Sequence, residues 1–266
     1  MTPNHALLLA AGRGSRMGQL TSEQPKCFAK LAGHRLFDWQ RAALHAAGLD
    51  TLGIVTGYHG EMFQNSGCEI YENERWESTN MVASLACAAR VLREHPCVVS
   101  YSDIVYHPDS VRRLVQSEAD VSITYDLQWL SLWQTRFDDP LSDAETLRLR
   151  DGRIIEIGGR TQDVNEIEGQ FMGLLKFSPA GWAAVEKIRT GLSSEARDRL
   201  DCTSLLQRLI AAGVSIVGVP VEGRWCEADT GEDLEAYERK MSQPGWSHDW
   251  TWPDGPQPIR RVRATT

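Results

Sequence analysis

No apolar stretch in the 266-residue sequence approaches the length of a membrane span, and no signal-peptide pattern precedes the first apolar run. None of the six cysteines, at 27, 68, 87, 97, 202 and 226, forms a Cys-x-x-Cys pair or has a histidine at zinc spacing. The usual zinc-site spacings are thus missing. Reduced thiols in a cytoplasmic protein are the expectation, with Cys87 and Cys97 buried in apolar runs. Positive charge is in deficit: 28 Lys and Arg stand against 36 Asp and Glu, a net −8 that argues against a nucleic-acid binder. There is no linker and no internal repeat, so 42% apolar content over this length reads as one globular domain.

What is present is a glycine-rich loop behind the first strand. His5-Ala6-Leu7-Leu8-Leu9-Ala10 is a short apolar run of the kind a buried parallel strand requires. Gly12 and Gly14 let the backbone turn tightly and approach a ligand. Ser15 and Arg16 add a hydroxyl and a guanidinium, and Pro25-Lys26 brings a point charge from a second direction. Such a loop suits the phosphates of a nucleoside triphosphate. Two commoner phosphate loops fail. Gly14-Ser15-Arg16 offers no Gly-Lys-Ser/Thr. The dinucleotide fingerprint needs its third glycine where Met17 stands, and the next strand candidate, Leu52–Thr56, ends without the required acid. Arg13, Arg16, Lys26, Lys30 and Arg35 make this region locally basic within an acidic chain, which suits a small anionic ligand; Lys30 and Arg35 read as solvated surface.

Strand and helix patterns alternate along the chain. They predict an α/β fold, a single Rossmann-like domain with a mixed, mainly parallel sheet and helices on both faces. Helices are expected at Leu36–Ala47, Asn80–Leu92, from His107 with Pro108 in its first turn, near Gly181–Ile188 and Ser204–Ala212, and at Glu232–Met241. Strands are expected at Cys97–Tyr101, Val121–Tyr125, Thr146–Leu149, Arg153–Ile157, Phe171–Phe177, Val214–Val219 and near Trp225. Asp151-Gly152 reads as a hairpin turn. The domain is drawn at 1–241 and a tail at 242–266, rich in tryptophan and proline and carrying Arg260, Arg261 and Arg263. Packing on the body, packing on another subunit in a homodimer, and partial disorder are all open for this tail.

Leu9-Ala10-Ala11-Gly12-x-Gly14-Ser15-Arg16-Met17 with Pro25-Lys26 resembles the signature of the nucleotidylyltransferases that activate sugar phosphates. Thr79-Asn80-Met81-x-x-Ser84-Leu85, Tyr101–Tyr106, Pro140–Glu145, Glu166–Gln170 and Glu227-Ala228-Asp229-Thr230 resemble the subgroup of cytidylyltransferases acting on small phosphate or phosphonate esters, such as phosphocholine, 2-aminoethylphosphonate and phosphoglutamine. The resemblance covers roughly residues 6 to 240; Gly18-Gln19 departs from its usual apolar-proline stretch.

The resemblance implies a division of labour. Leu9, Ala10, Ala11, Gly12, Gly14, Ser15 and Arg16 would hold the nucleotide, with Arg16 and Lys26 as the catalytic cations. Asn80 and Ser84 would meet the base edge, although Asn80 or Thr79 also suits a helix N-cap. Asp103, just past a strand, and Asp229 would share Mg²⁺, a hard ion that takes one or two carboxylates plus phosphates and water. Helix capping is the plain alternative for Asp229. Asp126, Trp129, Trp133, Arg136 and Glu168 would form the acceptor pocket, with Asp143 and Glu145 as further candidate acids. Trp129 and Trp133, at i and i+4, equally suit a buried helical stripe, and Arg136 equally suits pairing with Asp138 or Asp139. The reading is transfer of CMP from CTP to a small phosphomonoester or phosphonate of zwitterionic or amino-acid-like character, with release of pyrophosphate and no nucleic-acid or membrane partner. A sugar-1-phosphate enzyme using UTP, dTTP or GTP is the alternative, and a non-catalytic nucleotide-binding module is the rival of another class.

Overall fold

A computed structural model describes residues 3–257. In chain order its main elements are β1 His5–Ala10, α1 Leu36–Ala46, β2 Thr51–Thr56, β3 Glu69–Glu72, α2 Met81–Leu85, α3 Ala89–Glu94, β4 Cys97–Tyr101, β5 Ile104–Tyr106, α4 Pro108–Gln116, β6 Val121–Asp126, α5 Trp129–Arg136, β7 Leu147–Arg150, β8 Arg153–Ile157, β9 Gln170–Phe177, α6 Pro179–Thr190, α7 Ser194–Asp198, α8 Cys202–Ala211, β10 Ile216–Val221, β11 Trp225–Glu227 and α9 Gly231–Lys240. Nine strands form one sheet in the order β3-β2-β1-β4-β9-β6-β10-β8-β7. Only β9 and β8 run against the other strands. β5 and β11 pair separately as a short antiparallel ribbon.

Both faces of the sheet are covered, which is why β1 and β4 are almost continuously apolar and buried rather than alternating. On one face lie Leu36, Trp39, Ala43 and Leu44 of α1, Val111 and Leu114 of α4, Leu132 of α5, and Leu234 and Tyr237 of α9. On the other lie Val82 and Leu85 of α2, Leu92 of α3, Trp182 and Val185 of α6, and Leu205, Leu206 and Leu209 of α8. The helix expected over Asn80–Leu92 is interrupted: Ala88 leaves helical geometry (φ −93°, ψ 17°) after a 3-10 turn at Ala86–Ala88. Cys97 is buried as expected, but Cys87 is exposed, on the outer side of that turn. Asp151 and Gly152 both have positive φ (51° and 72°), the primed hairpin turn that matches strand twist. Gly173 (φ +77°) makes a bulge in β9; a Cβ there would fall 2.6 Å from the Tyr101 ring. The polar edge strand β3 has no counterpart among the expected strands, and α5 realises the helical-stripe alternative for Trp129 and Trp133.

The tail packs on its own body through Gln257. Trp250 is fully buried, edge-on to Trp39 with centroids 5.8 Å apart, and Trp246 stacks on Tyr237 at 6.2 Å. His248, also fully buried, places its Nε2 2.9 Å from Asp126 Oδ2, and Arg224 N donates to Ser247 O at 2.9 Å. The segment therefore completes the α1 face rather than forming a separate unit. Arg260, Arg261 and Arg263 lie outside the described residues.

Trp250→Ala should cost about 3–5 kcal/mol of unfolding free energy, the range for deleting a buried tryptophan. Urea titration followed by circular dichroism checks it; a loss below about 1 kcal/mol would mean that the tail contributes little to the core.

Candidate active site

Ligands of open α/β sheets gather at the carboxyl ends of strands, and here the ends of β1, β4 and β11 converge. β1 delivers the loop. Leu9, Ala10 and Ala11 are buried, while Gly12, Ser15 and Arg16 are exposed on the loop that follows. Gly14 takes a left-handed conformation (φ +66°), and a Cβ there would lie 2.7–2.8 Å from the Lys26 stem, so the glycine is required both by its φ and by the close approach. Thr21 Oγ1 ties the loop by donating to Gly14 O at 3.0 Å. Pro25 starts a 3-10 turn that presents Lys26 from the opposite side.

Lys26 Nζ lies 2.8 Å from Asp103 Oδ2 and 2.7 Å from Asp229 Oδ1. Burial works against its charge, but the two carboxylates outweigh burial and hold its pKa above the ordinary lysine value. Arg16 grips the same Asp229, with Nη2 2.8 Å from Oδ1 and Nη1 3.0 Å from Oδ2. Thr230, not Asp229, caps α9; Thr230 and Asp233 form a reciprocal capping box. Asp229 N donates to Asp233 Oδ2 at 2.8 Å, leaving the Asp229 carboxylate to the site. Burial pushes that carboxyl up, yet Lys26, Arg136 and Arg16 prevail and hold it below the usual range.

Arg136 stands behind this group, not in an acceptor pocket. Its side chain is only 1% exposed, with Nη1 2.5 Å from Glu227 Oε2, Nη2 2.8 Å from Asp229 Oδ2 and Nε 3.4 Å from Asp233 Oδ1. With its fork engaged by three carboxylates, no face remains for an acceptor. Glu227 is the residue that sequence reasoning missed. It stands two positions before Asp229, the spacing at which an extended segment turns both side chains to one side. Oxygens of Asp103, Glu227 and Asp229 all lie within 4.8 Å of one another. Burial, then the nearby Asp229 and Asp103, push the Glu227 carboxyl up to about 7 against the pull of Arg136. Asp103 Oδ1 is buried and has no hydrogen-bond partner among the described residues. Three oxygen donors with one unsatisfied buried atom fit a hard divalent cation.

On the base side, Asn80 is the N-cap of α2: its Oδ1 accepts from Met81 N at 2.7 Å and its amide donates to Arg199 O at 3.2 Å. Those bonds use one donor and one acceptor position of an exposed side chain, and the second N–H remains for a base edge. Ser84 is buried and accepts at 2.9 Å from Asn73, a residue the sequence reading passed over.

Beside the acids opens a cavity of about 180 Å³ lined by Trp133, Asp143, Glu145, Arg160, Gln170 and Glu227 among others. Of the residues assigned to the acceptor, Trp133 and the further candidate acids Asp143 and Glu145 line it, with Trp133 Nε1 donating to Asp143 Oδ2 at 3.1 Å. Asp126 is withdrawn into the core, fully buried and bonded to Trp225 Nε1, His248 and the amides of Gln128 and Gly223. Trp129 is buried edge-on to Trp133, the helical-stripe alternative, and Glu168 is exposed outside the cavity. Of the four candidate acids, Asp143 and Glu145 line the cavity and Asp126 and Glu168 do not. Burial raises the Glu145 carboxyl above its ordinary value.

A cationic phosphate loop facing a carboxylate cluster at the open end of this sheet defines a nucleotidyltransferase. Residues 6–152 match the MobA-like NTP transferase domain, and the chain belongs to that family of enzymes. It is 34% identical to the CTP:phosphoglutamine cytidylyltransferase of Campylobacter jejuni over 247 residues, covering 87% of this chain and 98% of the relative. In fold it is similar to the inositol-1-phosphate CTP transferase of T. maritima (TM-score 0.72, 17% identity, 89% of this chain and 95% of that one). It is likewise similar to the CTP:phosphocholine cytidylyltransferase of Streptococcus pneumoniae (TM-score 0.71, 19% identity, 90% and 99%). No helix of the described residues is long and apolar enough to cross a membrane.

A Glu227 carboxyl titrating at about 7 gives a signed expectation. A proton on Glu227 competes with a metal, so affinity for Mn²⁺ should climb as pH rises through that value, and Glu227→Gln should flatten the climb. Calorimetric titration across the range decides it; an unchanged pH slope in the variant would remove Glu227 from the metal set.

Proposed function

We propose that the enzyme transfers CMP from CTP to a small phosphorylated acceptor of zwitterionic or amino-acid-like character, with Mg²⁺ held by Asp103, Asp229 and Glu227. The observation that carries the reading is the position of Glu227, which belongs both to the acid trio and to the wall of the cavity. The metal cluster and the acceptor space are thus neighbours. Preference for CTP is supported by the Campylobacter jejuni relative, whose name carries CTP and phosphoglutamine. The acceptor class is supported by Asp143 and Glu145, which suit an ammonium group, beside Arg160, which suits a carboxylate. Six free cysteines agree with a reduced compartment such as the cytoplasm.

An oxygen of the acceptor phosphate attacks the α-phosphorus of CTP, the new P–O bond forms, and the α–β bridging bond breaks to release pyrophosphate. That oxygen is already ionised near neutral pH, so no general base is required. Catalysis then rests on positioning and on neutralising charge. Arg16 and the loop amides from Gly12 to Ser15 bind the outer phosphates, and Lys26 meets the charge that shifts at the α-phosphate. Held by Asp103, Glu227 and Asp229, Mg²⁺ would supply further neutralisation of the negative charge in the site.

A pyrophosphate-release assay with the four nucleotides against phosphocholine, 2-aminoethylphosphonate, phosphoglutamine and sugar phosphates tests the proposal. CTP should lead by about tenfold or more, the scale of one good base-specific contact. Equal rates with UTP or GTP, or a preference for a hexose phosphate, would reject it. In the same assay Lys26→Ala should lower kcat by roughly 10²–10³, the scale of one lost transition-state charge contact, while Arg16→Ala should also raise KM for CTP. A Lys26→Ala enzyme altered only in KM would contradict this division.

A further inference from the structure

Lys26 stands where a cation belongs. Its ammonium bridges Asp103 and Asp229 at 2.8 and 2.7 Å, its side chain is 9% exposed, and the trio it bridges spans no more than 4.8 Å between oxygens. A divalent ion at its usual contact distance of about 2.0–2.1 Å from those oxygens would lie within a few ångströms of that ammonium, where repulsion in a partly buried site is strong. We propose that Lys26 is an internal counter-ion of the acid trio, one that must leave the carboxylates for a metal to enter and that is thereby delivered to the phosphates. The proposal rests on the reading of the trio as a metal site.

The three cations at the trio differ in their freedom to move. Arg136 is 1% exposed and held by Glu227, Asp229 and Asp233, so it is a fixed counter-charge. Arg16 reaches Asp229 from solvent with its side chain 67% exposed, and moves at little cost. Lys26 is intermediate. Its stem passes close over Gly14, where a Cβ would meet Lys26 Cβ, Cγ and Cδ at 2.7–2.8 Å, and the exchange requires a swing of the ammonium end alone. That packing also joins the lysine to the phosphate loop itself. With lysine and arginine both on Asp229, the cluster has little charge left to attract a metal. Phosphates that draw Lys26 and Arg16 away uncover it. Metal and nucleotide therefore bind with positive coupling, each favouring the other by the same factor.

The test is Mn²⁺ binding to the protein without nucleotide, by calorimetry or electron paramagnetic resonance. Lys26→Met and Lys26→Gln should bind Mn²⁺ roughly tenfold more tightly than wild type, although both lose activity, and Lys26→Arg should show no gain. Unchanged or weaker binding in the two neutral variants overturns the exchange. Should those variants fold poorly by circular dichroism, the wild type decides: acetylation of the Lys26 amine, mapped by mass spectrometry, should rise as Mn²⁺ is added. Labelling that stays level or falls overturns the proposal equally. If no form binds Mn²⁺, the metal reading falls together with the exchange, whereas equal binding by all forms removes the exchange alone.

Discussion

Asp229 is the anchor around which the site is assembled. One carboxylate receives Lys26, Arg16 and Arg136, from three separate segments of the chain. Like charges would drive Asp103, Glu227 and Asp229 apart at their separation of under 4.8 Å, so this crowd of acids requires cations to exist at all. Arg136 supplies the permanent share from behind. Its guanidinium also lies 5.4 Å from the Trp133 ring centroid and 5.0 Å from that of Phe137, which holds its plane while the fork meets the acids. The front share comes from Arg16 on the glycine-rich loop and from Lys26 on the turn that faces it. Loop and acids are thus one electrostatic unit, not two adjoining sites.

The sheet gives that unit its place. β1 and β4 are parallel neighbours whose ends carry the loop and Asp103, and the β5–β11 ribbon swings Glu227 and Asp229 over the same edge. Ala228 N donates to Asp103 O at 2.8 Å, so the two acid-bearing segments are joined by backbone and do not depend on their side chains for register. The bulge at Gly173 sets Tyr101 and Met172 on the cavity wall beside Glu227. A regular β9 with a side chain at that position would collide with the Tyr101 ring and close the space.

A second buried ionisable group, Asp126, works structurally. It gathers Trp225 Nε1, His248 and the amide of Gly223 at 2.9, 2.9 and 2.7 Å. Trp225 opens β11, the strand that ends in Glu227, and His248 belongs to the tail. The tail therefore bears on the ribbon that carries the acids, through a carboxylate satisfied on both oxygens. A buried carboxylate with a full set of donors is tolerable where a lone one is not.

The sequence alone determined the glycine-rich loop after β1, the alternation of strand and helix, the hairpin at Asp151-Gly152 and the position of Asp103 and Asp229 at element ends. These are legible because they are local: a few neighbouring residues decide backbone turns, apolar period and strand termini. The roles of Glu227, Arg136, Asp126 and the cavity acids were decided only by tertiary structure. Arg136 meets partners more than ninety residues away, and Asp126 meets His248 at a separation of 122. An arginine in an aromatic cluster reads equally as a ligand contact or an internal clamp, and an aspartate at a strand end reads equally as a site acid or a buried anchor. What separates these meanings is which charges and donors the folded sheet brings within three ångströms, and residue type and spacing do not carry that information.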